Sequence, residues 1–372
     1  MSKIFTKEDK EKARKLKRPW HTPLFASLVL DNSRVKHTFK KQIEKWFENL
    51  PDSEKVHFLS RFKSKNDREH LSAFFELMWN QFFYEEKWKI TPHPSISGVS
   101  GKVDFFIENT KQDFYFEVVT VFQDLEREKR EKLIDELLNK INEIKHYFFI
   151  SIYIKDWLPD KFKISRVKSF IKSELDKLDP KQDIGIKQVI YSSNNYKIRF
   201  DISGKKMLRK DSIIGAYMGP GFSGPVGSKQ IRNRIEEKIK KYKSIEKRGC
   251  PFVIALCSGE DWTVNEENLD YELFGKPVLV WNNNKPNSSR FVRDNTGLFK
   301  AHHKLSAAIF CKRELRKIQN GYGIVYRMKL FHNPYAINPL KEDVFYFLPQ
   351  LVLRGNRMET INDDPRKVII FY

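Results

Sequence analysis

The chain has 372 residues, of which 14% are aromatic, so it can bury a large core and its composition excludes a wholly disordered protein. Its 69 Lys and Arg residues against 48 Asp and Glu residues give a formal net charge of +21, which favours a polyanionic partner, most simply a nucleic acid. No apolar segment approaches the roughly 18 to 20 residues that span a bilayer, and the N-terminus lacks a signal-peptide core, so we expect a cytoplasmic protein with no membrane partner.

The first 67 residues are predicted to form a basic N-terminal extension. Residues 1–65 carry 17 Lys and Arg against 8 Asp and Glu, and a basic run from Lys10 to Arg18 precedes the apolar sequence LFASLVL. We expect this extension to pack partly on the rest of the chain and to offer a basic surface. Residues 68–372 contain no internal repeat and no strong linker, which favours one composite domain.

The next elements predict an α/β fold. From His70 to Glu86 the sequence is apolar around much of a helical circumference, as in a largely buried helix. Three strand-like segments follow, WKITPHP, VDFFIE and DFYFEVVTV, then a helix with apolar residues at helical spacing from Leu133 to Ile144, then the strand HYFFISIYI. An antiparallel start with a helical crossover to another strand predicts a mixed central sheet flanked by helices.

Two acidic residues, Asp104 and Glu117, lie inside otherwise apolar strand patterns on either side of the turn from Glu108 to Asp113. An ionised carboxylate in a hydrophobic sheet costs several kcal/mol or more unless a cation or a donor compensates it. If the two strands pair as a hairpin, the two carboxylates converge, and such a pair usually indicates a metal site. The alternative is that one or both lie at strand ends and are solvated.

A basic helix is predicted from Ser228 to about Lys247. Lys238 and Lys241 share a face through the i to i+3 relation, and Tyr242 follows them. These residues are candidates for nucleic-acid binding, the lysines through phosphates and the tyrosine through stacking or a hydrogen bond. The alternative is a solvated basic face beside a core tyrosine.

One family combines these features. Glu76 on a helix, Asp104 on one strand and Glu117 on the next resemble the acidic arrangement of the PD-(D/E)xK nuclease superfamily, and residues 68–155 resemble its restriction-endonuclease-like core. Residues 156–372 would then be a C-terminal elaboration. Beyond the core, the segments KKYKSIEKRGCPFVIAL and LFHNPYAINPL are similar to passages in uncharacterised bacterial proteins that carry such a core.

The resemblance implies a metal-dependent active site. Asp104 and Glu117, with a carbonyl from the Val118 region and several waters, would hold Mg²⁺ or Mn²⁺, because hard oxygen ligands suit these ions. Glu76 would act through water. The superfamily also implies a catalytic lysine two residues after the second acid, where this chain has Val119.

The lysine must therefore come from elsewhere, or the site is inactive. Lys102 is the leading candidate because it shares a strand face with Asp104. Lys140 and Gln123, on or before the helix that follows Glu117, are the other candidates, since superfamily members can relocate this group.

The resemblance implies an endonuclease that hydrolyses phosphodiester bonds, with DNA favoured over RNA and a role in defence against foreign DNA as an expectation. Many such enzymes cut both strands as dimers, so it also admits a homodimer. Two alternatives stay open. One is a catalytically inactive nucleic-acid-binding module that retains the fold, and the other is a basic scaffold protein.

Overall fold

The structure of the chain, a computed structural model, contains two compact units. Unit 1 comprises residues 1–13, 24–123 and 225–372, and unit 2 comprises residues 14–23 and 124–224. The structure describes residues 3–18, 20–98, 101–122, 125–179, 185–193, 196–204, 213–220, 227–242, 244–259, 264–280, 290–318, 321–354 and 357–362.

The described helices of unit 1 precede its first strand or connect its later strands. They are α1 (Lys7–Leu16, assigned to unit 1 as far as Ala13), α2 (Leu24–Leu30), α3 (Arg34–Glu48), α4 (Asp52–Phe62), α5 (Asp67–Glu85), α8 (Gly227–Lys241), a 3₁₀ helix (Ile245–Arg248), α9 (Glu266–Phe274) and α10 (Leu298–Ala301). The described helices of unit 2 are α6 (Leu125–Asn142) and α7 (Ile164–Asp176).

The described strands form a large sheet and a two-stranded ribbon in unit 1 and a smaller sheet in unit 2. Those of unit 1 are β1 (Lys89–Pro92), β2 (Phe105–Glu108), β3 (Phe114–Val121), β8 (Phe252–Ser258), β9 (Pro277–Val280), β10 (Arg290–Arg293), β11 (Ala307–Ile318), β12 (Gly321–His332), β13 (Gln350–Arg354) and β14 (Arg357–Ile361). Those of unit 2 are β4 (Phe149–Ile154), β5 (Ile186–Ser193), β6 (Tyr196–Ser203) and β7 (Ile214–Met218).

The large sheet of unit 1 has eight described strands in the order β1-β2-β3-β8-β11-β12-β13-β14. The first three strands form an antiparallel meander, and β3 then pairs in parallel with β8, which pairs in parallel with β11. Every residue of β8 is buried, so both faces of the strand are covered. A continuous apolar sequence predicts such a strand. The prediction of an α/β fold with a mixed central sheet flanked by helices is confirmed.

The two faces of β3 are covered by different helices. Alternate residues of a strand point to opposite faces, so Phe116 and Glu117 face opposite ways. On one face Phe116 packs against Trp79 of α5, with ring centroids 4.8 Å apart. On the other face Val119 joins a core cluster that includes Ile235 of α8. Glu117 therefore lies on the α8 side of the sheet.

Helix α5 is the buried helix that its apolar circumference predicts. The Asn66 side chain caps it by accepting a hydrogen bond from the Arg68 amide. Eleven of its residues are buried, in nearly consecutive positions. Such a helix is stabilised by burial on most sides, and Glu76 is one of the residues near its middle that keeps partial exposure.

Unit 2 has a four-stranded sheet in the order β5-β6-β4-β7. Strand β4 pairs antiparallel with β6 and parallel with β7. Its core includes Leu137 of α6, Ile152 of β4 and Ile171 of α7.

The predicted continuation of the sheet from α6 into HYFFISIYI is wrong. That strand is β4 in the sheet of unit 2, and the parallel neighbour of β3 is β8. Both segments are apolar runs that follow a helix, so periodicity does not distinguish them. None of the described helices is long and apolar enough to cross a membrane.

Candidate functional site

The hairpin of β2 and β3 brings Asp104 next to Glu117. The register of this hairpin pairs Phe105 with Phe116, so Asp104, the residue before β2, lies opposite Glu117. The Asp104 amide donates to Glu117 Oε2 over 3.1 Å, and the Val118 amide donates to Asp104 Oδ2 over 2.7 Å. Asp104 and Glu117, the acid pair, are thus joined by one direct hydrogen bond, and the amide that follows Glu117 binds the Asp104 side chain.

Glu117 is a fully buried carboxylate whose two oxygens are both bonded. Its side chain is 1% exposed. Lys238 Nζ lies 2.5 Å from Oε1, and the Tyr242 hydroxyl lies 3.0 Å from Oε2, beside the Asp104 amide. The cost of burying the charge is offset by one ammonium and two neutral donors.

Helix α8 presents Lys238 and Tyr242 to the acid pair. Residues four apart share a helical face, and the Tyr242 amide donates to the Lys238 carbonyl at the end of this helix. Ile235 and Ile239, which flank Lys238 along the helix, are buried in the core cluster that contains Val119. This packing fixes α8 against β3 and leaves Lys238, 24% exposed at its side chain, beside Glu117.

The electrostatics of the site follow from burial and from neighbouring charge. Burial, followed by the negative charges of Glu117 and Glu76, raises the pKa of Asp104 well above its usual range, against the opposing effects of Lys238 and the Val118 amide. A group of carboxylates that repel one another in this way favours a bound cation.

Lys238 and Tyr242 both keep their protons. Burial lowers the pKa of Lys238, but the charges of Glu117 and Asp104 and the hydrogen bond to Glu117 outweigh it, so the pKa is raised. Burial and the same two carboxylates raise the pKa of Tyr242. At neutral pH Lys238 is therefore an ammonium and Tyr242 a neutral hydroxyl.

Glu76 lies apart from the acid pair and is held by Arg61 of α4. Both oxygens of Glu76 accept hydrogen bonds from the Arg61 guanidinium, each over 2.6 Å, and the two side chains are 18% and 25% exposed. The Coulombic interaction of Glu76 with Asp104 is large enough to raise the pKa of Asp104. The carboxylate oxygens of Glu76, Asp104 and Glu117 do not all come within 4.8 Å of one another.

Neither of the two lysines predicted as catalytic candidates, Lys102 and Lys140, supplies the ammonium at Glu117. Lys102 is exposed, and its backbone carbonyl accepts a hydrogen bond from the Tyr242 hydroxyl over 2.8 Å. Lys140, on α6 of unit 2, pairs with Glu143 over 2.8 Å. Gln123 lies outside the described residues. The ammonium that contacts Glu117 belongs to Lys238, a residue that the sequence predicts to bind phosphate.

The other two residues predicted to bind nucleic acid, Lys241 and Tyr242, differ in their exposure. Lys241 is exposed, with its ammonium 4.9 Å from the Tyr242 ring centroid, so its phosphate-binding role stays a prediction. Tyr242 is 0% exposed and packs against Phe252, with ring centroids 5.7 Å apart. A buried ring has no face free for a base, so stacking by Tyr242 is corrected to a bonding role at Glu117.

The sequence did not predict Arg61 as a site residue. It predicted Lys238 as a phosphate-binding residue and not as the partner of Glu117. The i to i+4 spacing of Lys238 and Tyr242 before a buried strand was a usable signal, because it places a cation and a hydroxyl on one face. No comparable signal existed for Arg61, whose partner Glu76 lies on the next helix along the chain.

The acid pair suits a hard divalent cation. No described residue donates to Asp104 Oδ1, and Glu117 Oε1 accepts one bond, from Lys238. Among the described residues, Asp104 Oδ1 thus has both lone pairs available to a metal, whereas Glu117 Oε1 has one lone pair left beside its bond to Lys238. Mg²⁺ is commonly held by one or two carboxylates and several waters, so Asp104 and Glu117 fit its requirements.

No protein-family model, curated protein or solved structure matches this chain.

Proposed function

We propose that this protein is a metal-dependent nuclease whose centre comprises Asp104, Glu117 and Lys238. The observation that carries the proposal is the contact of Lys238 Nζ with Glu117 Oε1, over 2.5 Å, beside Asp104. Two carboxylates and an ammonium in contact are groups that metal-dependent phosphodiester hydrolysis can use. The carboxylates can hold a divalent cation, and the ammonium can neutralise charge on a phosphate.

The metal would be Mg²⁺ or Mn²⁺, held by Asp104 Oδ1 and Glu117 Oε1. The chemistry supplied by such an ion is a lower pKa for a bound water and charge neutralisation at the phosphate. Lys238 then takes the part that the superfamily resemblance gives to the lysine missing at Val119. In this proposal the restriction-endonuclease-like core consists of α5, β1, β2, β3, α8 and β8.

Lys238 would act as an electrostatic and positioning group. Its pKa is raised, so it does not serve as a general base at neutral pH. Its ammonium has three donors, of which one reaches Glu117, and the others can bind a phosphate oxygen or the attacking water. Glu76, fixed by Arg61, would act through water, as the superfamily resemblance implies.

The substrate would be a nucleic acid. The net charge of +21 produces a positive field that attracts a polyanion at long range. The preference for DNA over RNA, a role in defence against foreign DNA and action as a homodimer rest on the superfamily resemblance.

The test is cleavage of labelled single-stranded and double-stranded DNA and RNA by the purified chain, with Mg²⁺, with Mn²⁺ and with a chelator. We expect metal-dependent cleavage that falls by at least about 1,000-fold in both Asp104→Asn and Glu117→Gln, since each removes a charged ligand oxygen. Both substitutions keep the shape of the side chain.

The matched control is Glu108→Gln, at the far end of strand β2 in the same hairpin, where Glu108 pairs with exposed Lys89. Its cleavage rate should equal that of the unmodified chain. Cleavage that survives in Asp104→Asn would refute the proposed centre. Binding without cleavage, weakening steeply with salt, would instead identify a nucleic-acid-binding module, and no binding to either polymer would favour the scaffold alternative.

A further inference from the structure

A second group of metal-ligating side chains lies in unit 1, on α4 and just after β1. It consists of Glu54, His57 and His93, here called the His-Glu cluster. One ligand atom from each of the three residues lies within 4.8 Å of the other two. His93 Nε2 is 3.3 Å from Glu54 Oε2, and the imidazole rings of His57 and His93 have centroids 5.9 Å apart at 80°.

The fold positions each member of the His-Glu cluster by a separate constraint. Glu54 and His57 are three residues apart in α4, so they share one face of that helix. His93 has a φ of 47°, a left-handed conformation uncommon for a residue with a side chain. The His93 amide donates to the Asp104 carbonyl over 2.9 Å, which holds this conformation and directs the imidazole towards α4.

The donor set selects the class of metal. Two imidazoles and one carboxylate suit Zn²⁺ and related transition metals, whereas Mg²⁺ prefers oxygen ligands alone. In a tetrahedral Zn²⁺ site with bonds of roughly 2.0–2.1 Å, neighbouring ligand atoms lie about 3.3 Å apart. The separation of Glu54 Oε2 and His93 Nε2 already has this value, and a ring nitrogen of His57 lies within 4.8 Å of a ligand atom of each of the two.

The surroundings provide a fourth coordination position. A cavity of 30 Å³ is lined by all three members of the His-Glu cluster and by Arg61 and Glu76. This volume accommodates a water molecule. The side chains of Glu54 and His93 are 22% and 27% exposed, and His57 is exposed, so a metal can enter from solvent without opening the core.

We propose that Glu54, His57 and His93 form a site for Zn²⁺ or a similar transition metal, with three protein ligands and one water in the adjoining cavity. Three ligands with an open fourth position are typical of zinc sites that activate water. This site is separate from the acid pair in its ligands and in the metal it selects, and it does not depend on the proposed nuclease activity.

The test uses the full chain without a polyhistidine tag, stripped of metal by a chelator and titrated with Co²⁺ as a visible probe and then with Zn²⁺ as a competitor. We expect a saturable Co²⁺ spectrum with the intense visible absorption of a tetrahedral or five-coordinate ion, which Zn²⁺ abolishes by displacing Co²⁺ from the His-Glu cluster. His93→Ala and Glu54→Gln should each weaken binding by more than about 100-fold, since second-shell changes alone cost up to that much.

The matched control is His37→Ala, which removes an exposed histidine from α3 and should leave binding unchanged. Asp104→Asn should also retain the Co²⁺ spectrum, which separates this site from the acid pair. Thermal melting of the metal-free variants verifies that they fold, and Zn²⁺ should raise the melting temperature of the unmodified chain but not of His93→Ala. Equal Co²⁺ affinity in the unmodified chain, His93→Ala and Glu54→Gln would overturn the proposal, as would an absence of binding.

Discussion

Lys238 Nζ lies 2.5 Å from Oε1 of Glu117, a residue that precedes it by 121 positions. The position two residues after Glu117 is occupied by Val119, which is buried among apolar side chains. The ammonium beside the buried carboxylate therefore comes from the helix that leads into the next parallel strand, β8, rather than from strand β3 itself. This relation offers a direct test because either partner can be neutralised separately.

Replacing Lys238 by Met should affect stability and cleavage together. The change leaves Glu117 buried without its cation, which we expect to lower the free energy of unfolding by about 3–5 kcal/mol. We expect metal-dependent cleavage to fall by about 100-fold to 1,000-fold, since one charged donor to the reaction centre is lost. Urea denaturation and initial cleavage rates measure the two effects.

The double variant Lys238→Met with Glu117→Gln separates the effect on stability from the effect on cleavage. Because position 117 then carries no charge that needs the ammonium, it should recover most of the lost stability while remaining inactive. Lys240→Met, which removes an exposed lysine of α8 that pairs with Glu236, controls for the general loss of a basic side chain. A single Lys238→Met variant with full activity would show that Lys238 is only a structural partner of Glu117.

The bidentate pair of Arg61 and Glu76 should contribute more to the free energy of unfolding than an exposed ion pair does. Arg61→Met leaves the half-buried Glu76 without its partner, and we expect a loss of about 1–3 kcal/mol in the free energy of unfolding. Arg61→Lys should lose less, because a lysine retains the charge but not the fork of two donors.

The comparison for this pair is Arg234→Met, which breaks the exposed pair of Arg234 with Glu237 on α8. That change should cost less than about 1 kcal/mol. Urea denaturation of the three variants under the same conditions gives the differences, and equal losses in Arg61→Met and Arg234→Met would contradict the expectation.

His70 should make the stability of unit 1 dependent on pH. Burial lowers the pKa of His70 from 6.5 to about 4, with a smaller opposing effect from its bond to the Phe62 carbonyl. Its ring nitrogen Nδ1 lies 2.5 Å from that carbonyl oxygen. Between these pKa values the unfolded chain binds more protons than the folded chain, so stability is complete above pH 6.5 and falls as the pH decreases towards 4.

The expected contribution of His70 is a loss of about 2 kcal/mol between pH 7.5 and pH 5. His70→Gln has no titrating ring. Between pH 7.5 and pH 5 its free energy of unfolding should therefore fall by about 2 kcal/mol less than that of the unmodified chain. Urea denaturation at the two pH values measures the difference, in which the contributions of other titrating groups cancel. An identical pH dependence in the variant would show that the pKa of His70 does not differ between the folded and unfolded chains.

The sequence alone determined the local parts of the candidate site. Alternating apolar residues on either side of a polar turn predicted the hairpin of β2 and β3, in which Asp104 and Glu117 could converge, and the register of the structure places them opposite each other. The apolar circumference of α5 likewise predicted a buried helix with Glu76 near its middle. These predictions depend on neighbours along the chain, for which sequence pattern is a sufficient guide.

Only the tertiary structure decided which later segments complete the site. Parallel pairing requires a crossover but does not specify its length, and the entropy of closing a loop rises only slowly with the number of residues. Unit 2 can therefore be inserted in the sequence between β3 and β8. The residue that contacts Glu117 is then Lys238 of α8, and not Lys102 or Lys140. The approach of His93 to Glu54 is likewise a contact between distant elements, and no local pattern encodes it.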